Sequence, residues 1–153
     1  MKTRTTAITI MMVKKENKLT NDYIDALWSI VSRTTKKVRL IFPRMDYDQF
    51  STIVKASRHV DTLIFNHLHF EEEGKINLGL GINYNIRNLS LQYSELGYRT
   101  WNEKMSWFFD VVQEIKNSNM HKNLESLNIC GLKVDIDQVD LPGIHIATKP
   151  WDT

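Results

Sequence analysis

Histidine and glutamate residues, which can bind metal ions, are concentrated in one short stretch of the chain. His67 and His69 are separated by one residue, and Glu71–Glu73 follow. Residues two apart in a strand share a face, so both imidazoles would point the same way if the strand continued that far. No second ligand group follows at a spacing typical of a zinc site. We therefore expect a solvated strand end and no metal ion here.

The other reactive side chains are isolated in the sequence. Cys130 is the only cysteine, and a nucleophilic role would need a partnered base that the sequence does not show. The aspartates of segment 135–140 lack the glycine and the terminal glutamate of a calcium loop. Gly79 and Gly81 lie in an apolar run without the Lys-Ser/Thr of a phosphate-binding loop. The sequence therefore predicts no catalytic residue, no cofactor and no enzymatic activity.

The charge balance argues against a general affinity for nucleic acid. The chain has 20 lysines and arginines against 18 aspartates and glutamates, a net charge of +2. Basic residues gather around the second predicted strand, at Arg33, Lys36, Lys37, Arg39 and Arg44, but without interleaved aromatic residues. Because the overall charge is close to neutral, we expect no nucleic-acid partner.

Length and composition indicate one domain over residues 1–153. A hydrophobic content of 42% in 153 residues suffices for a continuous core without disulfides. The single cysteine is typical of a reducing compartment and predicts an intracellular, cytoplasmic protein, although the basic, threonine-rich start also permits organellar import. No run approaches the roughly 20 apolar residues that a membrane-spanning helix needs.

The elements that would position these residues come from an internal repeat. The phrase apolar-x-x-apolar-x-apolar occurs at 60–65, 86–91 and 124–129, with a weaker copy at 35–40 and another possible start at Ile8. Measured at the second apolar position, the steps from Ile8 onward are 30, 25, 26 and 38 residues. Such spacings fit strand-plus-crossover units, and arrays of such units usually form binding surfaces.

The segments between the phrases predict the crossovers. Apolar spacing predicts helices over residues 21–31, 47–57 and 101–118, with Asp46 capping the second. In the third we expect inward-facing apolar residues at Met105, Phe108, Phe109, Val112 and Ile115. The glycines of segment 76–82 predict an extended or irregular return. A short strand over 144–146 and an irregular tail over 149–153 complete the prediction.

The repeat phrase resembles the leucine-rich repeat family, whose unit reads L-x-x-L-x-L-x-x-N/C-x-L. The similarity covers about residues 35–134 and is strongest at 86–91 and 124–129, while 1–34 and 135–153 would be weak repeats or caps. The long steps are closer to the ribonuclease-inhibitor-like and F-box-associated classes. The family's Asn or Cys is replaced by Pro43, Leu68, Ser94 and Leu132, so irregular turns are expected.

The resemblance implies a short α/β solenoid, with a parallel sheet on the concave side and helices and irregular returns on the convex side. It implies a protein-interaction module, such as an adaptor, a scaffold or a subunit of a larger assembly, whose partner contacts the concave face. The chain could also be a piece of a longer repeat protein. The predicted partner-binding residues lie between the apolar phrase positions: Arg39, Ile41, Thr62, Ile64, Asn66, Asn88, Ser90, Gln92, Ser126 and Asn128.

An alternative is a doubly wound parallel α/β domain that binds a small ligand or catalyses a reaction. Its pocket would gather the carboxyl ends of the strands, at 42–44, 66–69 and 92–94. The order of the strands separates the two folds. Sequential neighbours throughout indicate a solenoid, whereas a reversal of strand order would create a ligand crevice.

Overall fold

The structure is a computed structural model that describes residues 6–11, 20–30, 35–41, 43–70, 74–93 and 106–151. Its strands are β1 (Thr6–Met11), β2 (Thr35–Ile41), β3 (Arg44–Met45), β4 (Thr62–Asn66), β5 (His69–Phe70), β6 (Asn88–Ser90), β7 (Ser126–Asn128) and β8 (His145–Ala147). Its α-helices are α1 (Asn21–Ile30), α2 (Tyr47–Ala56), α3 (Ser106–Asn117) and α4 (Met120–Asn123), and a 3-10 helix covers Ile136–Gln138. The protein is therefore an α/β protein.

Six strands form one parallel sheet in the order β1-β2-β4-β6-β7-β8, and β3 pairs with β5 in a separate two-stranded sheet. Within the described strands the order follows the chain without a reversal. The second apolar positions of the repeat phrase are register partners across the sheet: Ile8, Val38, Leu63, Leu89 and Leu127. Ile146 on β8, which lies outside the repeat phrase, continues this row. The repeat in the sequence thus corresponds to a repeat of parallel strands.

One face of the sheet, the helix face, carries the hydrophobic core. The apolar positions of the strands join buried residues of α1, α2 and α3 in a single cluster. Phe50 on α2, for example, packs against Phe65 on β4 and Phe70 on β5, with ring centroids 5.0 and 5.5 Å apart. Because strand side chains alternate, the residues between these positions lie on the opposite face, here called the polar face.

Helix α2 begins as the sequence predicts. The Asp46 side chain accepts a hydrogen bond from the Gln49 main-chain nitrogen at 2.7 Å, and the Gln49 side chain accepts one from the Asp46 nitrogen at 3.0 Å. This reciprocal capping box satisfies two main-chain donors that the first turn leaves unpaired. Phe50, Ile53 and Val54 then bury one side of the helix in the core.

The third predicted helix is observed over Ser106–Asn117, and its predicted residues 101–105, including Met105, lie outside the described part of the chain. Phe108, Val112 and Ile115 are buried as expected. The inward orientation predicted for Phe109 is wrong, since 39% of this residue is exposed. Phe109 follows Phe108 directly, and one helical step of about 100° carries it away from the buried side.

Residues 74–87 form the irregular return that the glycines predict. This segment contains no described helix or strand, and Gly79 adopts a positive φ of 76°. It is nevertheless anchored to the core, because Tyr84 is fully buried and its hydroxyl donates to the Leu78 carbonyl at 2.6 Å. Glu114 on α3 accepts a hydrogen bond from the Leu78 nitrogen at 3.0 Å.

Candidate binding face

Strand register arranges the polar face in three rows. The first row contains Lys37, Thr62, Asn88, Ser126 and His145. The second row contains Arg39, Ile64, Ser90, Asn128 and Ala147. The third row contains Ile41 and Asn66, followed by Gln92, which lies two residues beyond Ser90. The predicted partner-binding residues therefore share one face, but their exposure differs between the rows.

The first row is partly open to solvent and internally hydrogen-bonded. Ser126 Oγ donates to Asn88 Oδ1 at 2.7 Å, and Asn88 Nδ2 donates to Thr62 Oγ1 at 3.3 Å. Thr62 Oγ1 in turn donates to Asp61 Oδ2 at 3.1 Å. These bonds fix side chains from three neighbouring strands in one line. Rotamer freedom is thus already restricted before any partner binds, which lowers the cost of association.

Charged groups flank the first row. Partial burial, and then the nearby Arg39 guanidinium, lower the pKa of Lys37. At the start of the strands, Arg87 Nε lies 3.8 Å from Asp61 Oδ1 and 3.7 Å from Glu125 Oε2. All three of these side chains are substantially exposed, so the ion pairs add little to stability. They leave this edge of the face with charges of both signs.

The second row is buried from Arg39 to Asn128, contrary to the open surface that the sequence suggested, and Ala147 at its end is half-buried. Ser90 and Asn128 are fully buried, Ile64 is 1% exposed and Arg39 is 9% exposed. In the third row, Gln92 is buried, whereas Ile41 and Asn66 are half-buried. Ile64 does not belong to the hydrophobic cluster on the helix face. Something on the polar face must therefore cover this row.

The cover is the chain's own C-terminal segment, residues 148–151, which we call the tail. Asn128 Nδ2 donates to the Lys149 carbonyl at 2.9 Å. Gln92 binds both main-chain groups of Trp151: its Oε1 accepts from the nitrogen at 3.0 Å and its Nε2 donates to the oxygen at 3.4 Å. Arg39 Nη2 donates to the same oxygen at 3.1 Å. Since Arg39 is on β2 and Gln92 follows β6, the tail passes over β4 and Ile64.

Three side chains organise the site under the tail. Gln92 Oε1 accepts from Ser90 Oγ at 3.1 Å and from Asn128 Nδ2 at 3.0 Å. Asn128 Oδ1 accepts from the Cys130 nitrogen at 2.8 Å. The two amide side chains are therefore held in one orientation by neighbours other than the tail. Sequence reasoning placed Trp151 in an irregular tail, and it missed the tail as an occupant of this face.

The structure contains no described group of three histidine, cysteine, aspartate or glutamate side chains that could hold a metal ion. His67 adopts a positive φ of 59° and its ring packs edge-on against Tyr93, with centroids 5.6 Å apart. His69 pairs instead with Arg44 in the register of the small sheet. Glu71–Glu73 lie outside the described residues. Within the described residues, His67 and His69 therefore have different surroundings and do not form one ligand group.

A shallow cleft of about 250 Å³ lies between α1 and α2. Its lining includes Asn21, Asp25 and Asp48, together with Asp46 and Gln49. Asp46 and Gln49 are already engaged in the capping box of α2, and the cleft lies beside the N-terminal halves of α1 and α2. The described side chains that line this cleft are carboxylates, amides, one hydroxyl and one isoleucine.

Comparison of the chain with protein-family models, with curated proteins and with solved structures gave no match. In the described parts of the chain, no helix has the length and apolar character required to cross a membrane. The candidate site therefore has to be interpreted from its own geometry.

Proposed function

We propose that the protein is a non-catalytic protein-interaction module, built as a short, degenerate leucine-rich repeat solenoid, and that a partner protein contacts its polar face. The observation that carries this proposal is the first row. It presents hydrogen-bonded polar side chains from consecutive parallel strands, half-exposed at Lys37, Thr62, Asn88 and Ser126 and exposed at His145. The sequential strand order and the aligned repeat phrase support the repeat architecture.

The chemistry of the first row suits recognition of a protein surface. Hydroxyl, amide, ammonium and imidazole groups lie at successive strands about 4.8 Å apart, so a partner meets donors and acceptors at regular intervals. Interfaces of soluble proteins combine such hydrogen bonds with modest apolar contact. The mixed charges around Asp61, Arg87 and Glu125 favour a partner of mixed charge rather than a polyanion. An intracellular location, suggested by the single cysteine, belongs to the same proposal.

The test is affinity purification of the tagged full chain from its own cells, followed by mass spectrometry. Thr62→Arg places a long cation in the middle of the first row. Thr52→Arg is the matched control, because Thr52 is exposed on α2, on the other side of the sheet. Ser90 is unsuitable for such a substitution, since it is fully buried and a charge there would have to be buried as well.

We expect a stoichiometric partner that binds the wild-type chain and Thr52→Arg but is lost from Thr62→Arg. Urea unfolding of both variants verifies that each remains folded. A partner that is retained by folded Thr62→Arg, or the absence of any stoichiometric partner, would contradict the proposed role of the first row.

A further inference from the structure

The tail marks a second binding site on the polar face. We propose that Arg39, Gln92 and Asn128 form a receptor for an extended peptide segment, that the chain's own tail occupies this receptor, and that an extended, proline-containing segment of a partner protein replaces it. This inference rests on the proposed function and adds the chemistry of the partner. It concerns the second and third rows, whereas the proposed function depends on the first.

The receptor binds the main chain of its occupant. Four hydrogen bonds join Arg39, Gln92 and Asn128 to the described part of the tail, and each ends on the carbonyl of Lys149 or on the nitrogen or carbonyl of Trp151. Gln92 pairs with both groups of one residue, as a neighbouring strand would. Main-chain recognition does not depend on the identity of the occupant's side chains. A segment from another protein can therefore make the same bonds if it follows the same extended path.

The receptor is organised before the occupant arrives. Asn128 is held by the Cys130 nitrogen, and Gln92 is held by Ser90 and Asn128. An exposed polar sheet surface would leave such amides free to rotate, because each would bond to water. Here Asn128 on β7 and Gln92, two residues beyond the end of the neighbouring β6, are both fixed, so an occupant does not have to order them itself.

Proline suits the position between the two anchored residues. The tail bonds through Lys149 and Trp151, while the intervening Pro150 is exposed and has no N–H that would need a partner. Its fixed φ keeps the segment extended and reduces the entropy lost on binding. The preferred partner segment is therefore x-Pro-x, with a free N–H on the residue after proline to reach Gln92.

The tail leaves one acceptor of the third row unused. Asn66 Oδ1 is buried and accepts no hydrogen bond within the described part of the chain. Asn66 lies on β4, between β2, which carries Arg39, and β6, which Gln92 follows. A segment that brings an additional donor to Asn66 would bind better than the tail does, because a buried acceptor without a donor is unfavourable. The tail is thus a replaceable occupant.

The tail binds the receptor intramolecularly, whereas a partner segment has to bind it from solution. A tethered segment acts at an effective concentration in the millimolar range, so a free peptide competes poorly with an intact tail. If the tail covers the site nine-tenths of the time, it weakens the apparent affinity of a free peptide about tenfold. Release of the tail should therefore strengthen binding by about that factor.

The experiment measures fluorescence anisotropy of a labelled peptide with the sequence of residues 146–153, added to the full chain. Trp151→Pro releases the tail, because it removes both the indole ring and the main-chain N–H that donates to Gln92. Trp151→Ala is the control that keeps the N–H. We expect the peptide to bind Trp151→Pro about tenfold more tightly than the wild-type chain, with Trp151→Ala closer to wild type.

Changes in the peptide test the receptor without any effect on folding of the protein. A peptide with proline in place of its tryptophan should lose binding to the Trp151→Pro chain, whereas a peptide with alanine there should retain it in part. Equal affinities for wild-type chain and Trp151→Pro, equal affinities of the two substituted peptides, or no binding up to millimolar peptide would each overturn the proposal. If the peptide experiment fails in one of these ways while Thr62→Arg still loses its cellular partner, the peptide receptor is rejected and the proposed function of the first row remains.

Discussion

The substitution Asn128→Ala tests the buried polar network most directly. Asn128 is fully buried and makes three hydrogen bonds: to Gln92 at 3.0 Å, to the Lys149 carbonyl at 2.9 Å and from the Cys130 nitrogen at 2.8 Å. Alanine removes all three and contributes no new polar group. It also leaves the Cys130 nitrogen and the Lys149 carbonyl without these partners.

The expected loss follows from those three bonds. A net contribution of about 1 kcal/mol for each bond gives a decrease of about 3 kcal/mol in the free energy of unfolding. With a denaturant slope of about 2 kcal/mol per molar urea, the unfolding midpoint should fall by about 1.5 M. A domain with 5 to 15 kcal/mol of stability, roughly the usual range, remains folded after such a loss.

Urea unfolding followed by circular dichroism measures the change. Asn83→Ala is the control, since Asn83 is exposed, and its midpoint should stay close to that of the wild-type chain. A loss smaller than about 1 kcal/mol for Asn128→Ala would refute the reasoning, because a buried residue with three hydrogen bonds cannot be removed at so small a cost. In that case the tail would not cover Asn128 in solution.

Two further predictions concern the core and the turns. Burial raises the pKa of Tyr84 from 10.0 to about 12, so the unfolded chain loses this proton at a lower pH than the folded chain does. The contribution of Tyr84 to the free energy of unfolding is therefore complete below pH 10.0 and is lost as the pH rises toward about 12. Urea unfolding across this pH range should show a steeper loss of stability for the wild-type chain than for Tyr84→Phe. Gly131→Ala should destabilise far more than Gly143→Ala: both glycines have positive φ, but a Cβ at Gly131 would lie 2.3 Å from the Tyr93 carbonyl oxygen, whereas nothing lies within 4 Å at Gly143. Similar unfolding midpoints for the two variants would contradict this geometry.

The repeating part of the fold could be predicted from the sequence because its signals are local. The phrase positions Leu63, Leu89 and Leu127 recur at strand spacing, and they are register partners in the sheet. The start of α2 was predictable for the same reason, since the Asp46 cap depends on a residue only three positions away. Phe109 shows the limit of this approach, because a single helical step decides which of two adjacent aromatic rings is buried.

The cover over the second row could not be predicted, since it depends on contacts that are distant in the sequence. Asn128 and Lys149 are 21 residues apart, Gln92 and Trp151 are 59 apart, and Arg39 and Trp151 are 112 apart. Serine, asparagine and glutamine occur both on exposed sheet faces and beneath a covering segment. Residue type alone therefore does not distinguish an open row from an occupied one.

Ile64 is the residue that links the two sites on the polar face. It lies in the second row between Arg39 and Ser90, and it is buried although it does not belong to the core on the helix face. An isoleucine there gains its burial from whatever crosses the face, whether tail or partner. A partner that uses the first row alone leaves the tail and Ile64 undisturbed and depends on Thr62. A partner that replaces the tail covers Ile64 itself and depends on Gln92, so Thr62 and Gln92 variants separate the two modes of binding.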